Sequence, residues 1–406
     1  MNRPPPAISP DAPALRGGGL PCPEQGVVGP PIPQPLSTRL ASLDALRGLA
    51  ILAIIGFDGA VSAFAEMAKS GPSLFRDICG FLATQFSHVE WEGLHLYDFV
   101  FPLFLFITGA GVAIALPRAL AVQPRPAVYV KILRRSLLMY ALGLLYYGGF
   151  ALHWDDLRYV GVLQRIAVCY FVTSILFLNL RPRALATSVA AILLIYWAVM
   201  SFIPAPGGLA GSLAPEANLA DWIDRTFLPG RLWYGVSDPE GLLSTGPAIA
   251  TCMLGALAGL LLNSKLPPAR IALLLVGGGA ALLVAGFVWS LWFPIIKSLW
   301  TSSFALVTAG ASAMLLGLAW HLLDVRRVIA ATSLARVGMN AIALYMLSGF
   351  GFFDQIAVRL VGGDFGLMID RFMAPGASAL LTHVIGLALA VGLAEFLYRK
   401  RVFIRL

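Results

Sequence analysis

YDFVFPLFLFITGAGVAIAL, residues 97–116, decides the class of fold. It holds one charged residue, Asp98, near its first end, and nothing ionisable after it. Twenty residues of α-helix rise about 30 Å, the thickness of a bilayer's hydrocarbon core. The composition agrees with a membrane reading. The chain is 58% hydrophobic and 12% charged, with a mean hydropathy of +0.80, where a soluble domain carries about 25% charged residues.

Working outward from 97–116, apolar stretches recur at about 45–66, 136–150, 160–179, 185–203, 242–262, 271–293, 299–322, 337–353 and 377–397. The expected fold is all-α, a polytopic integral membrane helix bundle of about ten transmembrane helices. Residues 204–241 are the one long break, and an eleventh, half-buried helix there stays open. Trp222, Trp233 and Tyr234 suit an ordered or interfacial segment. In the 271–293 span, Gly277, Gly278 and Gly279 permit close helix approach.

Lys and Arg divide unequally between alternate breaks. Eighteen fall in one set, among them Arg47, Lys131, Arg134, Arg135, Arg326 and Arg399, and nine in the other. The richer side is expected to be cytoplasmic. Both termini then lie inside, and the net charge of +8 needs no nucleic acid to explain it. Residues 1–38 contain eleven prolines and no apolar run, the composition of a disordered cytoplasmic tail. The domain reading is therefore a tail over 1–38 and a transmembrane domain over 39–406. Cys22, Cys79, Cys169 and Cys252 have neither disulfide nor metal spacing, and no metal is expected.

Three blocks carry candidate chemistry. SLDALRG, 42–48, opens the first span, and Asp44 and Arg47 are spaced to meet on one helical turn. They read either as a local ion pair or as a contact for an anionic cofactor. Asp58 lies within the span, where an ionisable group is costly and a functional hypothesis by default. HVEWEG, 88–93, leads from the outer side into Asp98 and the second span. His88 could carry a proton, or be one more solvated loop histidine. Gln164 and Arg165 open the fourth span from outside, and Arg165 should need a carboxylate partner. His95, His153, His321 and His383 sit in no motif and are expected to be structural. Asn340 is expected to hydrogen-bond between helices.

SLDALRG (42–48), HVEWEGLHLYDFVFPLFLFITG (88–109), RYVGVLQRIAVCYF (158–171) and, more loosely, DPEGLLSTGPAIATCMLGALAG (238–259) together resemble the heparan-α-glucosaminide N-acetyltransferase family, in particular its bacterial members. The resemblance implies a transmembrane acyltransferase that takes acetyl-CoA from the cytoplasmic side and acetylates a sugar on the other. It implies that His88, three residues before Trp91 of the W-x-G motif, is the active-site histidine. Asp58 stands where the family usually has Asn, which leaves amine or hydroxyl as acceptor open. On this resemblance the proline-rich tail is expected to stand in place of the animal members' large lumenal N-terminal domain. On this reading Arg47, Lys131, Arg134 and Arg135 hold the CoA phosphates, and Asp58 or Asp98 fixes the tautomer of His88. Trp91, Gln164 and Arg165 face the acceptor. The expected location is a bacterial inner membrane, with membrane lipid and an extracytoplasmic saccharide as partners. A homodimer is allowed but not specified. The alternative is a transporter or flippase of a glycan precursor, which would place its polar groups at the bilayer midplane on broken helices.

Overall fold

The computed structural model describes residues 40–328 and 332–404. The tail expected over 1–38 lies outside them. Among the described residues the fold is all-helical, with two isolated β-bridges, Glu92 to Ile296 and Arg158 to Gly230. The helices are α1 (Ala41–Ala68), α2 (Ser73–Gln85), α3 (Leu96–Leu120), α4 (Arg125–Tyr146) and α5 (Val162–Asn179). They continue with α6 (Pro182–Phe202), α7 (Leu219–Phe227), α8 (Thr245–Leu262), α9 (Pro268–Ser290) and α10 (Ser302–Val325). The last five are α11 (Thr332–Met339), α12 (Ala341–Gly349), α13 (Phe352–Val361), α14 (Gly363–Phe372) and α15 (Ala377–Arg399).

Helix starts follow local chemistry. Proline stands at the first or second position of α4, α6 and α9, where its missing N–H costs nothing. Asn218 caps α7 by accepting from Asp221 N, and Thr301 caps α10 by accepting from Phe304 N.

Eight helices among the described residues are long and apolar enough to span a bilayer: α1, α3, α5, α6, α8, α9, α10 and α15. A ninth apolar unit is a bent pair, α12 and α13 meeting at 59°, which together have the length and composition of a span. The tenth expected span falls on α4. It is 22 residues long, but Arg125, Lys131, Arg134 and Arg135 crowd its first half, and that charge removes it from the apolar set. The helix within 204–241 is α7, whose nine residues reach about 14 Å and cannot cross a bilayer. A helix not anticipated is α2. Its Leu74, Phe75, Ile78, Phe81 and Leu82 form an exposed apolar face, as suits a helix lying at a membrane surface.

The bundle centre is α3, α8 and α10, which hold Leu105, Phe106, Ile107, Ala250, Met253 and Phe304 at 0–1% exposure. Helix α15 is only 17% buried, so most of its apolar surface is left for lipid. Close approach at the centre depends on glycine. A Cβ on Gly109 would lie 1.7 Å from the Cys252 carbonyl oxygen, and one on Gly255 would lie 1.9 Å from that of Phe106. Helices α3 and α8 therefore meet backbone to backbone. On α9, Gly279 does the same against Gly310 of α10, while Gly277 and Gly278 face open space. Asn340 joins helix to chain end, donating to Val402 O and accepting from Ile404 N.

Candidate active site

The geometry of the H-x-x-W-x-G block follows from two anchors. Trp91 donates its indole N–H to Leu213 O at 3.0 Å, pinning the loop to the 204–241 segment. Gly93 then turns the chain with φ of +123°, a backbone conformation that favours glycine. Its N–H donates to Ile295 O at 2.9 Å, and Glu92 bridges to Ile296. Between α2 and these anchors the chain presents His88.

His88 Nδ1 lies 2.8 Å from Asp98 Oδ1. Asp98 is fully buried at the head of α3. Its other oxygen accepts from the backbone N–H of His95 at 3.0 Å and, at 3.4 Å, from that of Val89. Lys297, between α9 and α10, completes the centre with Nζ 3.0 Å from Asp98 Oδ1 and 2.7 Å from His88 Nδ1. Burial pushes the Lys297 ammonium below its ordinary range, and the Asp98 carboxylate opposes that. Of the two carboxylates expected to orient His88, Asp98 is the one in contact. Asp58 is one step removed. It lies close enough to Tyr97 for its charge to act on that hydroxyl, and the Tyr97 ring packs 4.7 Å from that of His88. The Tyr97 hydroxyl also donates to Ala53 O at 3.3 Å. That carbonyl belongs to a π-helical turn of α1, Ala53–Phe57, of the kind often found at functional sites.

His88 and Lys297 sit on a cavity of about 220 Å³ that is otherwise largely apolar, lined also by Phe104, Tyr146, Tyr345 and Glu240. Glu240 accepts from Arg158 at 2.5 Å, and Arg158 is held by both oxygens of Asp238 at 2.9 and 2.6 Å. The Arg158 guanidinium stacks 4.6 Å from each of the Tyr147 and Trp233 rings. Burial alone would lower its pKa, but the Asp238 hydrogen bonds and the Glu240 charge prevail and hold it above its ordinary value.

Gln164 and Arg165 are each 2% exposed and lie behind the cavity wall that Leu163 and Ile166 form. No carboxylate contacts Arg165 among the described residues. It donates instead to Ser244 Oγ at 2.5 Å and Gly241 O at 3.1 Å, stands 5.2 Å from the Trp300 ring, and feels Glu240 through space. Gln164 packs against Gly143 and Gly161. Trp91 is tied up as an anchor, packed against the buried cluster that includes Tyr196 and Phe293.

The basic candidates belong to the other ends of the same helices. Arg47 pairs with Asp44 at 2.8 Å and lies against Gly111 of α3. Lys131 and Arg134 are exposed on α4. Arg135 turns inward and stacks 4.6 Å from Tyr170 of α5. From Asp98 to the last turn of α3 is about 30 Å, so the His88 centre and the start of α4 lie at opposite faces of the bundle.

An all-helical bundle of membrane-spanning length, with an imidazole, a carboxylate and an ammonium meeting at one end, is the class of protein these observations define. Comparison with known proteins narrows it. Residues 39–154 match a family described as a domain of unknown function (DUF5009). The chain is 26% identical over 428 aligned positions to heparan-alpha-glucosaminide N-acetyltransferase of Homo sapiens, covering 91% of this chain and 60% of the relative. It is 25% identical over 429 positions to the Mus musculus enzyme of the same name, covering 90% and 60%. The chain is similar to these enzymes over about nine tenths of its own length, and spans about 60% of theirs.

Proposed function

We propose that the chain is a multi-pass membrane acyltransferase that takes acetyl from cytoplasmic acetyl-CoA and delivers it to a sugar amine or hydroxyl on the extracytoplasmic side of a bacterial inner membrane. The observation that carries this reading is the contact of His88 with Asp98 and Lys297 at the polar end of an apolar cavity, one bundle length from the basic start of α4. Both chain termini are cytoplasmic on this reading. On this reading Arg47, Lys131, Arg134 and Arg135 hold the CoA phosphates, and the cavity takes the thioester end. His88 accepts the proton of the attacking amine or hydroxyl, or takes the acetyl group itself before passing it on. Asp98 orients the imidazole, and Asp58 supports Tyr97 behind it.

One feature favours the transporter alternative: the bent α12–α13 pair, Ala341 and Ile342 of which line the cavity. A single experiment separates the two. The purified protein is sealed in vesicles with labelled acetyl-CoA on one face, and amino sugars and glycan hydroxyls are offered on the other. Acetylated acceptor, dependent on His88, supports the acyltransferase. Movement of intact glycan precursor with no acetyl transfer to any acceptor overturns it.

A further inference from the structure

His88 Nδ1 lies 2.8 Å from Asp98 Oδ1 and donates its proton there, which leaves Nε2 as the basic nitrogen. Lys297 Nζ is 2.7 Å from Nδ1 and 3.3 Å from Nε2, so it stands over the face of the ring and not on either lone pair. Its acceptor is Asp98 Oδ1, at 3.0 Å.

We propose that Lys297 is a catalytic residue whose ammonium, held beside His88 by Asp98, takes the carbonyl oxygen of a bound acyl thioester and the oxyanion that forms there. This rests on the acyltransferase reading above. Three observations support it. Lys297 lines the same cavity as His88. Its side chain is 21% exposed, which leaves it room to move. Asp98 keeps the backbone N–H groups of His95 and Val89 as partners when the ammonium turns to the oxyanion.

The transfer step balances without any further reactant. The acceptor heteroatom bonds to the carbonyl carbon while its proton passes to His88 Nε2. The oxyanion forms against the Lys297 ammonium, which keeps its protons throughout. The C–S bond then breaks, and the proton on Nε2 passes to the leaving sulfur. An ammonium preplaced for an oxyanion is the kind of donor whose removal costs about 10²–10³ in rate.

The test separates an oxyanion partner from a structural one. In the transfer assay, Lys297→Met should lower kcat by about a hundredfold or more with little change in KM for acetyl-CoA, and Lys297→Arg should recover part of the rate. Thermal unfolding of both variants controls for folding. A Met variant that turns over at the wild-type rate, or an Arg variant that recovers nothing while folding as the wild type does, overturns the role of Lys297 while the acyltransferase reading stands. Wild-type protein that transfers acetyl to no acceptor overturns both.

Discussion

Replacing His88 by Ala separates catalysis from folding. The side chain is 55% exposed, so it contributes little packing. Its strongest bond is to Asp98, and the decisive question is what Asp98 loses. Without His88 that carboxylate still accepts from Lys297 at 3.0 Å and from His95 N at 3.0 Å, so no buried charge is left without a partner. The folding cost is therefore that of one partly exposed hydrogen bond, about 1 kcal/mol or less. Loss of a general base, by contrast, costs about 10²–10⁴ in rate. His88→Asn keeps much of the volume and a hydrogen bond to Asp98 but cannot accept a proton, so it should fail to the same degree. Thermal unfolding in detergent and acetyl transfer in vesicles, measured on the same preparations, decide the matter. Wild-type turnover in either variant would remove the proposed mechanism. A large drop in thermal stability would show that the centre is a structural clasp.

Arg158→Met should destabilise the fold by about 3–5 kcal/mol, because it strands the buried carboxylates of Asp238 and Glu240. A denaturation midpoint like that of wild type would refute this. Asp224 gives a pH dependence. Burial pushes its carboxyl from 3.8 up to about 7, so the native state holds a proton that the unfolded chain releases. Its contribution is thus most favourable below the ordinary carboxylate range and is lost as pH rises toward 7, by at most about 4 kcal/mol. Asp224→Asn should flatten this window, gaining stability relative to wild type at pH above 7, and unfolding at several pH values checks it. In the CoA reading, Arg135→Ala should weaken acetyl-CoA binding by about 1–3 kcal/mol. Lys131→Ala and Arg134→Ala should do less, since both side chains are exposed. Calorimetric affinity unchanged in the triple variant would move the phosphate site elsewhere.

Hydrophobic runs make the membrane class and the order of the spans legible, because a lipid-facing helix must be apolar over its whole length. Where a helix carries charge within its length, that signal fails. Helix α4 carries four basic residues in its first half, so apolarity alone starts it at 136, when the helix starts at Arg125. The amphipathic α2 has no continuous apolar run to reveal it.

The site is legible only in part for a related reason. His88 and Asp98 are ten residues apart and belong to one sequence block, so local sequence holds both. Lys297 lies 209 positions from His88, and no motif around it points to a partner. Its one signal is chemical: a single lysine in the run WSLWFPIIKSLW, 289–300. A cation set among tryptophans and aliphatic residues at a membrane edge needs an anion. Its own break holds no acidic residue, so the anion must come from another segment. Asp98 is such an anion, because it faces the same end of the bundle. The same reasoning pairs Arg158 with the acidic DPE segment at 238–240. Long-range ion pairs of this kind become readable once a topology assigns each charge to a face, since a buried charge restricts its partners to those on its own side.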